Sequence, residues 1–272
     1  MKRYCLYLFI LIGISCSAEL KAQKNGTVYK GNDPAVRYTG RTLVSPDGSV
    51  AFDWVGTYLE TRFTGGKLSV KVSETGTSYY NVFVDGKLHK VVKVCGTDTL
   101  IHLVSGIDKR IHSLKIQKRS EGEFGKTTIH QFVLSGSGRL AEEPAVRTRH
   151  IEFIGNSLTC GYGTDGKHRD EPFLVETENC NLTFASMVAR YYDADYTLIA
   201  HSGRGAARNY GDSVRVSKVT MKDRMLNTFD EDLTHKWNFK EYRPDLVVIN
   251  LGSNDFSTEP HPYKSEFTKA YK

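Results

Sequence analysis

The sequence lacks the features that mark several protein classes. It contains no CxxC pair and no set of Cys and His at ligand spacing, which argues against a structural zinc site. It has no low-complexity segment. Its formal charge is +6, but basic and acidic residues are interleaved, without the basic patch typical of a nucleic-acid binder. The N-terminal apolar run, Leu6 to Ile14, is too short to span a bilayer. A hydrophobic fraction of 39% describes a folded chain.

The N-terminus has the layout of an export signal. A basic pair precedes the apolar run, small residues follow it, and Leu20-Lys-Ala22 ends on the small residue after which we expect cleavage. A lipoprotein signal with Cys16 lipidated is the alternative, although Gly13 stands where such signals usually have an apolar residue. The sequence therefore predicts a signal peptide over residues 1–22 and an exported protein.

Three cysteines remain after that cleavage: Cys95, Cys160 and Cys180. An odd number in an exported protein leaves at least one free thiol or an intermolecular pair. A Cys160–Cys180 disulfide stays open, because spacing alone cannot establish it.

Residues 24–143 have the period of β-strands. Lys67 to Val72 (KLSVKV) alternates polar and apolar side chains, as a half-buried strand does. Tyr80 to Val84 (YNVFV) is followed by Asp85-Gly86, a signal for a hairpin turn. Several short strands separated by glycine-rich turns predict a β-sandwich.

Residues 148–272 have a different period, typical of an α/β domain with a parallel sheet. Three apolar segments are predicted strands: Ile151 to Ile154, Tyr196 to Ala200 and Leu246 to Leu251. The segment before the second of these is a predicted helix, and its apolar side chains share one face: Phe184, Met187, Val188, Tyr191 and Tyr192.

A polar loop follows each of these strands: Gly155-Asn-Ser157, His201 to Gly205 and Gly252 to Asp255. Adjacent parallel strands would bring the three loops to one edge of the sheet, where ligands bind in such folds.

Acyl transfer needs a nucleophile and hydrogen-bond donors for the oxygen that becomes negative. Ser157 can supply its hydroxyl and its own N–H. Gly203 can offer a closely approaching N–H, and Asn254 a side-chain N–H. Position 159 is Thr, so this is not the G-x-S-x-G elbow of α/β-hydrolases.

Three segments carry a family resemblance: IEFIGNSLTCGYG, SGRGAARNYGD and WNFKEYRPDLVVINLGSND. They resemble the three blocks of the SGNH hydrolases, and in particular carbohydrate esterase family 2, exported deacetylases of acetylated plant polysaccharides. The N-terminal half is similar to the jelly-roll domain of that family. The resemblance implies that Ser157 is the nucleophile, that Gly203 and Asn254 join its N–H in the oxyanion hole, and that no cofactor is needed. Asn156 stands where the family more often has Asp.

The resemblance also implies a catalytic His near the C-terminus, well beyond the third block. We therefore expect that residue beyond Lys272 and expect this chain to be a fragment whose α/β domain is incomplete at its C-terminal end. His201 and His261 are the histidines of this chain that could lie near Ser157, and either is an alternative base.

Other conspicuous side chains have structural interpretations. Trp54 fits core or turn packing, with sugar stacking as the alternative. Arg204 and Arg208 fit anchors of the second loop, with substrate contact as the alternative. Asp255 is expected to fix its own turn through backbone hydrogen bonds.

The leading hypothesis is a serine esterase that removes O-acetyl groups from a polysaccharide such as xylan or glucomannan. Its partner would be that substrate, with no nucleic acid and no membrane span. A non-catalytic carbohydrate-binding protein is the second hypothesis. An SGNH esterase acting on lipid or thioester substrates is the third, because the fold alone permits it.

Overall fold

The computed structural model describes residues 26–142 and 145–272. The predicted signal peptide over residues 1–22, with Cys16, lies outside these residues. Within them, no helix has both the length and the apolar character needed to cross a membrane.

The N-terminal domain (residues 26–142) is a seven-stranded antiparallel sheet. Its strands are β1 (Gly26–Lys30), β2 (Val36–Thr39), β3 (Leu43–Val44), β4 (Val50–Phe52), β5 (Tyr58–Val84), β6 (Lys87–Lys118) and β7 (Thr127–Ser135), with a 3₁₀ turn at Gly122–Phe124. The order β2-β5-β7-β4-β3 forms the main path, while β1 pairs with β7 and β6 with β5.

The sheet curls because one segment of the long strand β5 pairs with two separate segments of the long strand β6. Tyr80 of β5 pairs with Val92 near the start of β6 and again with Lys118 at its end. The turn between the strands is the predicted one, with Asp85 and Gly86 both at positive φ (49° and 75°). The curled sheet encloses an apolar core that includes Phe63 and other fully buried side chains.

The C-terminal domain (residues 145–272) contains a three-stranded parallel sheet in the order β10-β8-β9. Its elements are β8 (His150–Gly155), α1 (Ser157–Cys160), α2 (Phe184–Tyr191), β9 (Asp195–Ala200), α3 (Met221–Arg224), β10 (Leu246–Ile249) and α4 (Lys264–Tyr271), with 3₁₀ turns at Val175–Thr177 and Cys180–Leu182. The change of period seen in the sequence therefore marks a real change of architecture.

The predicted helix forms as α2, but the face it buries differs from the apolar one. Ala185, Ser186 and Ala189 are buried, whereas Phe184 is exposed and Tyr191 is 83% exposed. Small side chains let the helix axis approach the sheet closely, and the large ones then point outward. The apolar run of β10 is also exposed, with Leu246, Val247 and Ile249 at 52%, 45% and 47%, since β10 lies at the edge of the sheet.

All three cysteines of the described chain are free thiols. Cys160 and Cys180 are both buried, so the disulfide left open by the sequence is not formed. The Cys180 thiol instead donates to the carbonyl of Lys118, 3.3 Å away.

Trp54 joins the two domains. Its ring is completely buried and packs with Ile154, Ile199 and Met221 of the C-terminal domain. A ring with no exposed surface cannot stack on a sugar, so the packing interpretation is confirmed. Val55 and Tyr58, which come after Trp54 in the sequence, belong to a second apolar cluster that they form with side chains of the parallel sheet.

Replacement of Trp54 by Ala should lower the free energy of unfolding by about 3–5 kcal/mol, the usual cost of an aromatic-to-alanine cavity in a packed core. Urea denaturation followed by circular dichroism measures this loss. Tyr191→Ala, at an exposed position on α2, is the matched control and should stay within about 0.5 kcal/mol of the parent. Equal losses for both variants would contradict the packing assigned to Trp54.

Candidate active site

The three predicted loops meet at one edge of the sheet. β8 is the central strand and runs parallel to both β9 and β10, so the C-terminal ends of all three face the same way. Ser157 is the first residue of α1, directly after β8, and is partly exposed. This places a serine hydroxyl where α/β sheets bind their ligands.

Local contacts make the turn that presents Ser157. Asn156 caps α1, its side-chain oxygen accepting the N–H of Leu158 at 3.2 Å. Gly161, in the left-handed conformation, ends the helix and donates to the carbonyl of Ser157 at 3.0 Å. A Cβ on Gly155 would lie 2.7 Å from the Cβ of the buried Thr159, so the strand end needs glycine there. The sequence motif therefore encodes a tight turn.

Hydrogen bonds join the three loops to one another. The Asn156 amide donates to the hydroxyl of Ser253 at 2.9 Å, joining the first loop to the third. The Asn254 amide donates to the carbonyl of Arg204 at 2.8 Å, joining the third to the second. These bonds bring the loops of Ser157, Gly203 and Asn254 together, as the sequence predicted.

Asp255 has a larger role than the one expected of it. Its buried carboxylate accepts the N–H groups of Ala206, Ala207 and Arg208 at 3.0, 2.7 and 2.9 Å. It therefore fixes the neighbouring second loop, which corrects the expectation that it holds its own turn. A Cβ on Gly205 would come within 2.8 Å of this carboxyl group, so glycine is required beside it.

The two arginines of the second loop differ. The Arg208 guanidinium is buried and donates to the carbonyls of Val214 and Glu259 at 3.1 and 3.0 Å, which confirms it as an anchor. Arg204 is only partly buried and holds Asn254 through its backbone carbonyl. Contact between the Arg204 side chain and a substrate stays a prediction.

Neither candidate histidine pairs with Ser157. His201 is buried, and its Nδ1 lies 2.7 Å from a carboxylate oxygen of Asp230. His261 is exposed, with its Nδ1 3.4 Å from Glu259. Within residues 26–142 and 145–272, no side chain forms a hydrogen bond with the Ser157 hydroxyl.

Glu121 is the site residue that the sequence did not reveal. It comes from the N-terminal domain, and its carboxylate accepts both the N–H of Ser202, at 2.5 Å, and the Ser202 hydroxyl. Ser202 directly precedes Gly203, so Glu121 holds the second loop next to a predicted oxyanion donor. The two residues are 81 positions apart, and no local pattern signals such a contact.

Two further carboxyl groups near this contact, the buried Glu178 and the exposed Glu123, have raised pKa values. Burial and the charge of Glu121 raise the pKa of Glu178 well above its usual range, and the same causes raise that of Glu123. Burial raises the pKa of the Cys160 thiol, with Glu121 and Glu178 adding to the effect. The backbone N–H of Glu121 donates to the Glu178 carboxyl group at 2.9 Å, which places this group directly beside Glu121.

Glu121, Glu123 and His201 have ligand atoms close enough to hold a metal ion. Their donors already have partners, however. Both Glu121 oxygens accept from Ser202, and His201 pairs with Asp230, which also accepts from Arg224. Glu121 and His201 are therefore held in hydrogen bonds of the fold, while the exposed Glu123 lies 3.6 Å from His201 Nε2. Independence from cofactors stays a prediction.

The protonation of His201 should make folding stability depend on pH. Burial lowers its pKa, but the hydrogen bond to Asp230 and the charges of Asp230 and Glu121 outweigh burial and raise it above 6.5. A histidine with a raised folded pKa stabilises the fold below its unfolded pKa, and this contribution is lost as pH rises through the folded pKa.

We therefore expect the destabilisation caused by His201→Gln to be larger at about pH 5.5 than at about pH 8.5. Urea denaturation at both pH values measures it, with His261→Gln, at an exposed position, as the control. A destabilisation that does not change with pH would contradict the ion pair between His201 and Asp230.

Two family models match the chain. A model described as carbohydrate esterase 2 N-terminal matches residues 38–144. A model described as GDSL-like lipase/acylhydrolase matches residues 151–272. The two matches fall on the two domains of the structure.

Named relatives agree with these models. Cellulase/esterase CelE of Acetivibrio thermocellus is 35% identical over 241 residues, which cover 89% of this chain and 29% of the relative. An acetylxylan esterase/glucomannan deacetylase of Cellvibrio japonicus is 33% identical over 226 residues, covering 80% of this chain and 61% of the relative. The chain thus spans less than two thirds of either curated relative.

A solved family two carbohydrate esterase from Clostridium thermocellum, in complex with cellohexaose, has the same fold. It superposes with a TM-score of 0.82 at 35% identity, covering 87% of this chain and 71% of the solved chain.

Proposed function

The chain belongs to carbohydrate esterase family 2, and on that premise we propose that it is a serine esterase that removes O-acetyl groups from a plant-type polysaccharide such as xylan or glucomannan. The observation that carries the proposal is the position of Ser157 at the end of the central parallel strand, with its loop bonded to the Asn254 loop and that loop bonded to the Gly203 loop. The names of the relatives supply the class of substrate.

The proposed reaction has two steps. The Ser157 hydroxyl attacks the acetyl carbonyl, and the N–H groups of Ser157, Gly203 and Asn254 hold the resulting oxyanion. Asn254 uses one amide hydrogen on Arg204 and keeps the other for this purpose. The sugar oxygen leaves with a proton, and water then attacks the acetyl-Ser157 ester to release acetate and the free hydroxyl.

We further propose that the base for Ser157 is a histidine that is not among the described residues. What argues against His201 and His261 is that neither forms a hydrogen bond with the Ser157 hydroxyl among the described residues, where His201 contacts Asp230 and His261 lies beside Glu259. Without a base the serine is a poor nucleophile at neutral pH, but an oxyanion hole and substrate binding together can still supply roughly 10³–10⁴-fold over water.

The finer structural and cellular predictions belong to the same proposal. The N-terminal domain would be a jelly roll over residues 24–143, and the hydrolase domain would cover residues 148–272. The protein would be exported and would meet its polysaccharide outside the cytoplasm. Family membership supports each of these points.

A non-catalytic carbohydrate-binding function is the second candidate. It is favoured by one observation, that no side chain of the described residues bonds the Ser157 hydroxyl. Such a protein would be retained on glycan without turnover, whatever residue stands at position 157.

The two candidates are separated by acetate release from acetylated glucomannan oligosaccharides, with and without added imidazole. If the esterase proposal is right, the 272-residue chain hydrolyses them slowly, imidazole increases the rate by acting as the absent base, and Ser157→Ala removes both activities. Asn254→Ala should lower the remaining rate by about 10²–10³-fold through loss of an oxyanion donor.

Two controls keep this test decisive. His261→Ala should leave the rate unchanged, and a loss comparable to that of Ser157→Ala would place the base inside this chain. Binding of the oligosaccharides with no acetate released under any condition would favour the non-catalytic candidate.

A further inference from the structure

A second cleft lies at the amino ends of the parallel strands, opposite the ends that carry Ser157. It is formed between β5 and β6 of the N-terminal domain and the part of the C-terminal domain that carries Arg147, Asn181 and Arg190. Arg147 donates to Asp195, the first residue of β9, at 2.8 Å, which places the cleft at the amino ends of the strands. Its volume of about 480 Å³ is typical of small-molecule sites, which often lie between domains.

Lys115, on β6, brings an uncompensated charge to this cleft. Its Nζ lies 3.7 Å from the ring centroid of Tyr58 and 5.0 Å from that of Tyr196. In the part of the chain that the structure describes, no carboxylate pairs with it and no acceptor hydrogen-bonds it. The aromatic faces compensate part of its lost hydration. An ammonium group that is partly removed from water is costly without an anionic partner, so a ligand that supplies one gains free energy.

The acid in the cleft cannot serve as that partner, because it is already committed. Glu60 forms ion pairs with Arg37 and, at 3.3 Å, with Arg147. Arg190, on the exposed face of α2, donates only to the neutral amide oxygen of Asn181, at 2.8 Å. Lys115 and Arg190 therefore leave the cleft with surplus positive charge.

The remaining lining adds groups that suit a sugar. The Asn181 oxygen is occupied by Arg190, which leaves its NH₂ group to donate. The exposed Ser113 hydroxyl donates to Asp85 at 3.5 Å, and its oxygen can still accept from a ligand. The partly exposed Phe83 offers an aromatic face, on which a pyranose ring can pack. We propose that this cleft binds a carboxylate-bearing sugar, whose carboxylate pairs with Lys115 and whose hydroxyls contact Ser113 and Asn181.

This site would be independent of ester hydrolysis, so its test uses binding to the full chain carrying Ser157→Ala. Isothermal titration calorimetry with glucuronate, glucose, acetate and inorganic phosphate separates the ligand classes. We expect glucuronate to bind at least about tenfold more tightly than the other three, since it alone combines charge, ring and hydroxyls. If glucose, acetate or phosphate bound as tightly as glucuronate, the proposal would be overturned.

Three variants locate the site. Lys115→Gln should weaken glucuronate binding at least about tenfold, and Arg190→Gln, at an exposed position that the fold does not need, should weaken it several-fold. Lys109→Gln, on the exposed part of the same strand, is the matched control and should bind like the parent. If both Lys115→Gln and Arg190→Gln bind glucuronate like the parent, the assignment is overturned. If Lys115→Gln does not fold, unchanged affinity in Arg190→Gln alone overturns it.

The pH dependence offers a separate check. Burial lowers the pKa of Lys115 to about 8. The charged and titratable groups around it are Tyr58, Glu60, Arg147, Arg190, Asp195 and Tyr196. Burial raises the pKa of both tyrosines, and the carboxylates keep their guanidinium partners. Glucuronate affinity should therefore fall roughly tenfold between pH 7 and 9.5 as Lys115 loses its proton, and an affinity that does not change would contradict the role of Lys115.

Discussion

The carboxylate of Asp255 is the contact on which the geometry of the candidate active site depends. It accepts three consecutive backbone N–H groups from the loop after β9, although Asp255 itself follows β10. A charged acceptor makes stronger hydrogen bonds than a neutral one, about 1.5–3 kcal/mol each, and all of these are shielded from water. Asn254 directly precedes Asp255, so the same anchor also fixes the position of that proposed donor.

The N-terminal domain supplies the second anchor of this loop. Glu121 holds Ser202 on one side of Gly203, and Asp255 holds Ala206 on the other. Gly203 has φ of 75°, and a Cβ there would meet nothing within 4 Å, so its backbone conformation and not crowding demands glycine. The backbone around Gly203 is thus fixed from both domains while the space before it stays open. The contact between the two domains, which includes Trp54, therefore helps to shape the candidate active site.

The sequence predicted those parts that depend on local pattern. The polar loops that follow apolar strands predicted the position of Ser157, and Asp85-Gly86 predicted the hairpin turn. Both predictions depend only on residues that are adjacent in the sequence. The sequence did not predict which face of α2 is buried. Helical periodicity separates the two faces of the helix, but packing against the sheet decides which one is buried, and here it favours small side chains such as Ala185. Glu121 stayed hidden for a related reason: its partner is distant in sequence, and only the docking of two domains brings them together.

The two ends of the parallel strands bury different titratable groups, and burial shifts the pKa values at both ends. At the edge that carries Ser157, burial and neighbouring carboxylates raise the pKa of Asp53 to about 7 and also raise that of Glu178. At the other edge, burial lowers the pKa of Lys115 to about 8. In each case burial is the largest cause, and it favours the uncharged form of the group. The buried acids near Ser157 therefore become neutral more readily than exposed acids do, and Lys115 loses its proton more readily than an exposed lysine does. The parallel sheet thus lies between two buried environments of different chemistry, and the second holds the surplus positive charge of Lys115 and Arg190.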